Sequence, residues 1–107
     1  MFQYDFPTAV GRAPAAALTL EPNTPNPFGA STAIPFRLEQ AGEASLSVYD
    51  VNGSLVRVVR SGFNLAGPHV AEWDGRDDVG RDAASGVYFC RLRSGGGEAT
   101  RKMVLIR

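Results

Sequence analysis

Ala44-Ser45-Leu46-Ser47-Val48-Tyr49-Asp50-Val51-Asn52-Gly53 is the stretch on which the reading of the fold turns. Ala44, Leu46 and Val48 fall on one side of a pleated strand, and Ser45, Ser47 and Tyr49 on the other. That is the two-residue period of a half-buried strand. Asn52-Gly53 follows as the strongest short hairpin signal, because both residues tolerate positive φ. Leu55 to Arg60 brings the chain back, with apolar residues on both faces, so pattern alone does not give its inward side.

The same alternation extends outward in both directions. Downstream, Gly67-Pro68 marks a turn, and His69, Ala71 and Trp73 share one face of a strand from His69 to Trp73. A polar loop from Asp74 to Asp82 is rich in turn formers. Gly86 to Arg93 is a strand with Tyr88, Cys90 and Leu92 inward and Arg91 and Arg93 outward. Gly95-Gly96-Gly97 turns the chain into a last strand from Glu98 to Arg107. Upstream, Ser31 to Leu38 places Ile34, Phe36 and Leu38 on one face. Pro35 cannot donate to a ladder, which predicts an edge strand or a bulge there. The proline density from Glu21 to Pro27 forbids both helix and ladder pairing, and Leu18-Thr19-Leu20 is a brief strand before it. Ordered structure is expected from Leu18, and residues 1–17 read as a linker because Gly11 to Ala17 is a small-residue, proline-containing stretch. No window carries apolar residues at helical spacing. About seven short antiparallel strands at these turn intervals predict an all-β sandwich in residues 18–107.

Composition narrows the function classes. The chain has 107 residues, enough for one modest core and no second one. Lys and Arg total 11 and Asp and Glu total 11, so no net field draws in a polyanion, and nucleic acid is not an expected partner. Cys90 is the single cysteine, which excludes an intrachain disulfide. No apolar run approaches the roughly 20 residues of a membrane helix. The opening residues lack the basic and apolar regions of a signal peptide, which leaves a cytosolic protein or the tail of a longer chain as the two expectations.

Four features are candidates for chemistry. Asp74, Asp77 and Asp78 could offer hard oxygen ligands to Ca²⁺. Counted from Asp74, however, the sixth position is Val79 where an EF-hand needs Gly, and the twelfth is Ser85 where it needs Glu. Carboxylates capping backbone N–H groups of a tight loop are the preferred reading. His69 is the only histidine, and no nucleophilic elbow accompanies it. Exposed aromatics could stack on a sugar. Trp73 and Tyr88 are expected in the core, which leaves Phe89 and Tyr49 for a polysaccharide. The glycine run lacks the Lys-Ser/Thr of a phosphate loop and a following helix. No acid/base or nucleophile/base pair is visible, so neither an enzyme nor a bound cofactor is expected.

Six short motifs occur in order: Pro25-Asn26-Pro27-Phe28, Thr32 to Leu38, Val48 to Gly53, Gly67-Pro68-His69 with Trp73 to Asp77, Ser85-Gly86-Val87-Tyr88, and Lys102 to Ile106. From Leu18 to Arg107 the chain resembles the Ig-like domain of flagellar hook-capping proteins and the similar C-terminal sorting domains of the type IX secretion system. Phe28-Gly29-Ala30 departs from the family's usual Phe-Asn-Pro. The resemblance implies an Ig-like seven-stranded sandwich, a secreted or cell-surface location on a longer exported chain, and protein partners, either a translocation machinery or the parent chain itself. Its recognised positions map onto Gly86, Tyr88, Lys102, Met103, Val104 and Leu105, each of which a purely structural role would also explain. A structural spacer or assembly domain is the alternative that the same resemblance implies. A last strand with an open edge would further allow recognition by strand addition.

Overall fold

The computed structural model describes residues 18–107; the expected linker over 1–17 lies outside them. Seven strands form two antiparallel sheets: β1 (Leu18–Leu20), β2 (Thr32–Leu38), β3 (Gly42–Asp50), β4 (Leu55–Asn64), β5 (Gly67–Trp73), β6 (Gly86–Ser94) and β7 (Gly97–Leu105). One sheet runs β1-β2-β5 and the other β4-β3-β6-β7. No helix occurs among the described residues. This is the expected sandwich. Its core is filled by the inward phase of each strand, including Ile34, Leu46, Trp73, Leu92, Met103 and Leu105, each at most 1% exposed.

Two turn types set the register. Gly95 and Gly96 sit at φ 57° and 85°, so the β6–β7 hairpin has the two-residue loop with paired positive φ whose twist suits flanking strands. The Asn52-Gly53 hairpin is built differently. Asp50 N–H donates to the Ser54 carbonyl, Gly53 N–H donates to the Asp50 carbonyl, and only three residues lie between them. The Asp50 carboxylate accepts from the N–H groups of Asn52 and Ser54 at 2.9 and 3.0 Å, fixing the loop through a side chain.

β4 carries the irregularity that hid its inward face. The ladder with β3 slips between Leu46 and Ser47 and again between Val48 and Tyr49. Each slip leaves one β4 residue without a partner, Val59 and then Val56. Two bulges reset the phase, so Val56 and Val59, three residues apart, both pack against the core. Pro35 is a correction of a different kind. β2 is the central strand of its sheet, not an edge, and its pairing with β5 is unbroken. The missing donor falls where β1 ends: Leu20 is the last β1 residue paired, and Glu21 N–H then donates to the Pro35 carbonyl at 3.0 Å. A ladder that stops there needs no N–H from Pro35. The expectation that the prolines forbid ladder pairing is also corrected: Thr24, which keeps its N–H between them, exchanges both backbone hydrogen bonds with Ala33, and Phe28 just past them bridges Leu105.

Candidate functional site

The β6–β7 register gathers the sequence candidates into one sector. Gly86 stands opposite Leu105, Tyr88 opposite Met103 and Phe89 opposite Lys102. Alternation then divides them. Tyr88, Met103 and Leu105 point into the core, while Lys102 is exposed and Val104 half-buried on the outer side, next to the exposed Gly86. The Tyr88 hydroxyl donates to the Ala84 carbonyl at 2.6 Å, and burial followed by the nearby Asp50 carboxylate raises its pKa. Of the six, Gly86 and Lys102 are thus exposed and Val104 half-buried, while Tyr88, Met103 and Leu105 belong to the core.

Three of the motifs meet at one indole. Trp73, fully buried, takes the edges or faces of Phe28 and Tyr88 at centroid distances of 5.5 and 5.3 Å. Its Nε1–H donates to the Arg76 carbonyl at 2.9 Å, which gives the polar end of the ring a partner. The same Phe28 serves the last strand. Its N–H donates to the Val104 carbonyl and its carbonyl accepts from Ile106 N–H, at 3.0 and 2.9 Å. Asn26 adds its side chain: Oδ1 accepts from Val104 N–H at 3.0 Å and Nδ2 donates to the Lys102 carbonyl at 3.4 Å. The edge of β7 from Lys102 to Ile106 is thus occupied by Asn26–Phe28. The open edge expected from the sequence is closed over that length, and strand addition there would have to displace a built contact. Arg107 latches the next turn, donating from Nε to the Ala83 carbonyl at 2.8 Å and from Nη2 to the Gly75 carbonyl. Gly75, at φ +75°, has no Cβ to collide with that guanidinium.

The acidic loop is spent on structure. Asp77 Oδ1 accepts from the N–H groups of Val79 and Arg81 at 3.0 and 2.9 Å, and its pKa is lowered chiefly by the Arg81 amide. Asp74 Oδ1 pairs with Arg57 at 3.3 Å, and Asp78 Oδ1 accepts from Val58 N–H at 3.0 Å. Asp78 N–H donates to the Val56 carbonyl, so this loop covers part of the β4 edge. Among the described residues no three carboxylate, imidazole or thiol groups converge as a metal site would need. His69 stacks on Phe36 at 5.1 Å with Nε2 2.7 Å from the Leu65 carbonyl oxygen, and Arg60 covers the Phe36 ring at 5.4 Å. It is part of a packing stack. Cys90 is fully buried, and burial pushes its thiol up to about 12. The native thiol should resist Ellman's reagent at mildly alkaline pH and react stoichiometrically only after denaturation. Reaction of the folded protein within the mixing time would contradict that placement.

Sequence reasoning missed the role of Asn26 and Phe28 on β7 and the latch made by Arg107. It had one usable signal, the early position of the Pro-Asn-Pro-Phe motif, but nothing that gave its partner.

A family model described as the FlgD Ig-like domain matches residues 23–97, a range that includes Gly86 and Tyr88 and stops short of Lys102. No curated protein matches the chain. Solved structures share the fold. Dimeric latent PorU from Porphyromonas gingivalis aligns with a TM-score of 0.63 and 22% identity over 83% of this chain and 9% of its own. PorZ, an essential bacterial surface component of the type IX secretion system of the same organism, aligns with a TM-score of 0.55 and 22% identity over 91% of this chain and 13% of its own. The chain therefore spans about a tenth of the length of either protein.

Proposed function

The chain belongs to the FlgD Ig-like domain family, and on that premise we propose that residues 18–107 act by binding, as an accessory module of a longer exported protein that is read by type IX secretion machinery as a sorting or anchoring signal. The observation that supports this reading is the β6–β7 sector, where Lys102 and Val104 share the outer face over buried Met103 and Leu105, and exposed Gly86 opens β6 opposite Leu105. The fold likeness to PorU and PorZ, and the description of PorZ as a type IX surface component, support the secretion setting and a secreted or cell-surface location.

A spacer or assembly domain is the second reading. It is favoured by the burial of Tyr88, Met103 and Leu105, which gives those residues a packing role without any recognition.

The two separate in one assay. The whole chain fused behind a reporter in a type IX-competent bacterium should carry the reporter to the surface, and should not do so in a strain lacking the translocon. The variant Lys102→Glu with Val104→Thr changes only the outer side and leaves Met103 and Leu105 alone. It should reduce surface reporter by about tenfold, the effect of removing ~1.4 kcal/mol of recognition. Equal export by wild type and variant, or no export of either, would leave the spacer reading standing.

A further inference from the structure

Half of the solvent side of the four-stranded sheet is apolar, where a sandwich of this kind ordinarily turns polar residues outward. Leu55, Tyr49 and Phe89 lie in one row across β4, β3 and β6, Val87 and Val104 pair in the next, and Val51 lines a pocket with Tyr49 and Phe89. Val51 and Leu55 are 66% and 51% exposed and the other four half-buried. Between Tyr49, Val51, Phe89 and Arg91 lies a shallow pocket of about 180 Å³, room for one apolar side chain. Lys102, opposite Phe89, ends the first of these rows. The rows beyond carry Arg91 and Arg93, which share Glu98 at 3.6 Å, and exposed Glu43 lies past them at the far end of β3. Lys102 makes no ion pair among the described residues.

Three observations select an occupant. From strand spacing and rise the apolar half measures roughly 300 Å², far below the ~800 Å² per partner of a stable complex. A second copy packed face to face would also oppose like charges, since Arg91, Arg93 and Lys102 outnumber Glu43 and Glu98 on each side and Lys102 at the apolar end has no acid of its own. The β7 edge is closed by Asn26–Phe28 over Lys102 to Ile106 and the β4 edge is covered at Val56 and Val58, so a strand is poorly placed to add there. Recognition then falls to side chains on the face, which suits a helix laying down an apolar stripe. We propose that the outer face of the β4-β3-β6-β7 sheet, at its Val51–Phe89–Val104 end, docks an acidic amphipathic α-helix of a partner protein. About 12 residues cross the four strands at 1.5 Å each. An apolar side chain enters the pocket beside Phe89, and carboxylates on the helix flank meet Lys102 and Arg91.

The face shares Lys102 and Val104 with the sorting sector. Its test uses purified full chain and no translocon, so its failure and the failure of the sorting reading are distinguishable. The probe is a displayed library of helical peptides, followed by fluorescence anisotropy with the consensus peptide. The expected result is enrichment of apolar residues at i, i+3 or i+4 and i+7 with Asp or Glu alongside. Binding of that peptide should fall about tenfold or more in Phe89→Thr, in the fold-safe exposed change Leu55→Thr and in Lys102→Glu. Enrichment of basic or aperiodic peptides, equal binding by all three variants, or no enrichment overturns the proposal. So does retention on a polysaccharide lost in Phe89→Thr, which would make the face a sugar platform, or a concentration-dependent dimer abolished by Leu55→Thr, which would make it a self-association surface.

Discussion

Trp73→Ala is expected to lower folding stability by about 3–5 kcal/mol, a large part of the about 5–15 kcal/mol a domain holds in all. The indole is fully buried and joins both sheets: Trp73 is in β5, and Tyr88, against which it packs, is in β6. Truncation leaves a cavity lined by Phe28 and Tyr88 and takes from the Arg76 carbonyl its shorter hydrogen bond, leaving the 3.3 Å one from Arg57 Nη1. Urea denaturation followed by far-ultraviolet circular dichroism measures the change, since the substitution removes the only tryptophan. Trp73→Phe separates the two contributions. It keeps an aromatic ring between Phe28 and Tyr88 and loses the hydrogen bond, and should cost about 1–3 kcal/mol. A loss under ~0.5 kcal/mol for Trp73→Ala would be the value of a surface site and would contradict the packing described.

Phe28→Ala is expected to be nearly as severe, again about 3–5 kcal/mol for a large buried aromatic ring. Phe28 is 2% exposed, and its ring meets the edge of Trp73 while its backbone holds Val104 and Ile106. The ring anchors the segment, and the segment closes the β7 edge. Because Phe28 and Trp73 touch, the two truncations should not add. The double variant should lose less than the sum of the singles by about 0.5–1.5 kcal/mol, the magnitude of an aromatic pair. Strict additivity in that cycle would mean the rings do not interact.

These effects explain which parts of the protein could be read from its sequence. Strands β2, β3, β5 and β6 were legible because each alternates against a single core, β7 because it follows the glycine turn, and the inward set of Ile34, Leu46, Trp73, Tyr88 and Leu92 converges as expected. β4 was not, since its two bulges put Val56 and Val59 on the core side three residues apart, a spacing that no fixed period of two contains. Pro35 misled because a missing donor marks any place where a ladder stops, and the short β1 stops there inside the sheet. The candidate sector was half legible. The Gly95-Gly96 turn fixes the pairing of Gly86 and Tyr88 with Leu105 and Met103 once the loop length is known. The closure of β7 by Asn26 and Phe28 joins residues more than 70 positions apart, through a side-chain amide and a proline-flanked backbone with no periodic signal. The outer apolar rows were equally hidden, because Leu55 and Tyr49 become neighbours of Phe89 only after the bulges and the cross-sheet register are set.

Recognition by the faces of the four-stranded sheet depends on the β7 edge being occupied, and amide hydrogen exchange reads that directly. The Val104 and Ile106 amides, bonded to Asn26 Oδ1 and the Phe28 carbonyl, should exchange with the slow rates of core strands. The Thr100 amide, on the same edge beyond the reach of that segment, should exchange quickly. Fast exchange at Val104 and Ile106, matching Thr100, would mean that the edge is open and that a partner can add a strand there.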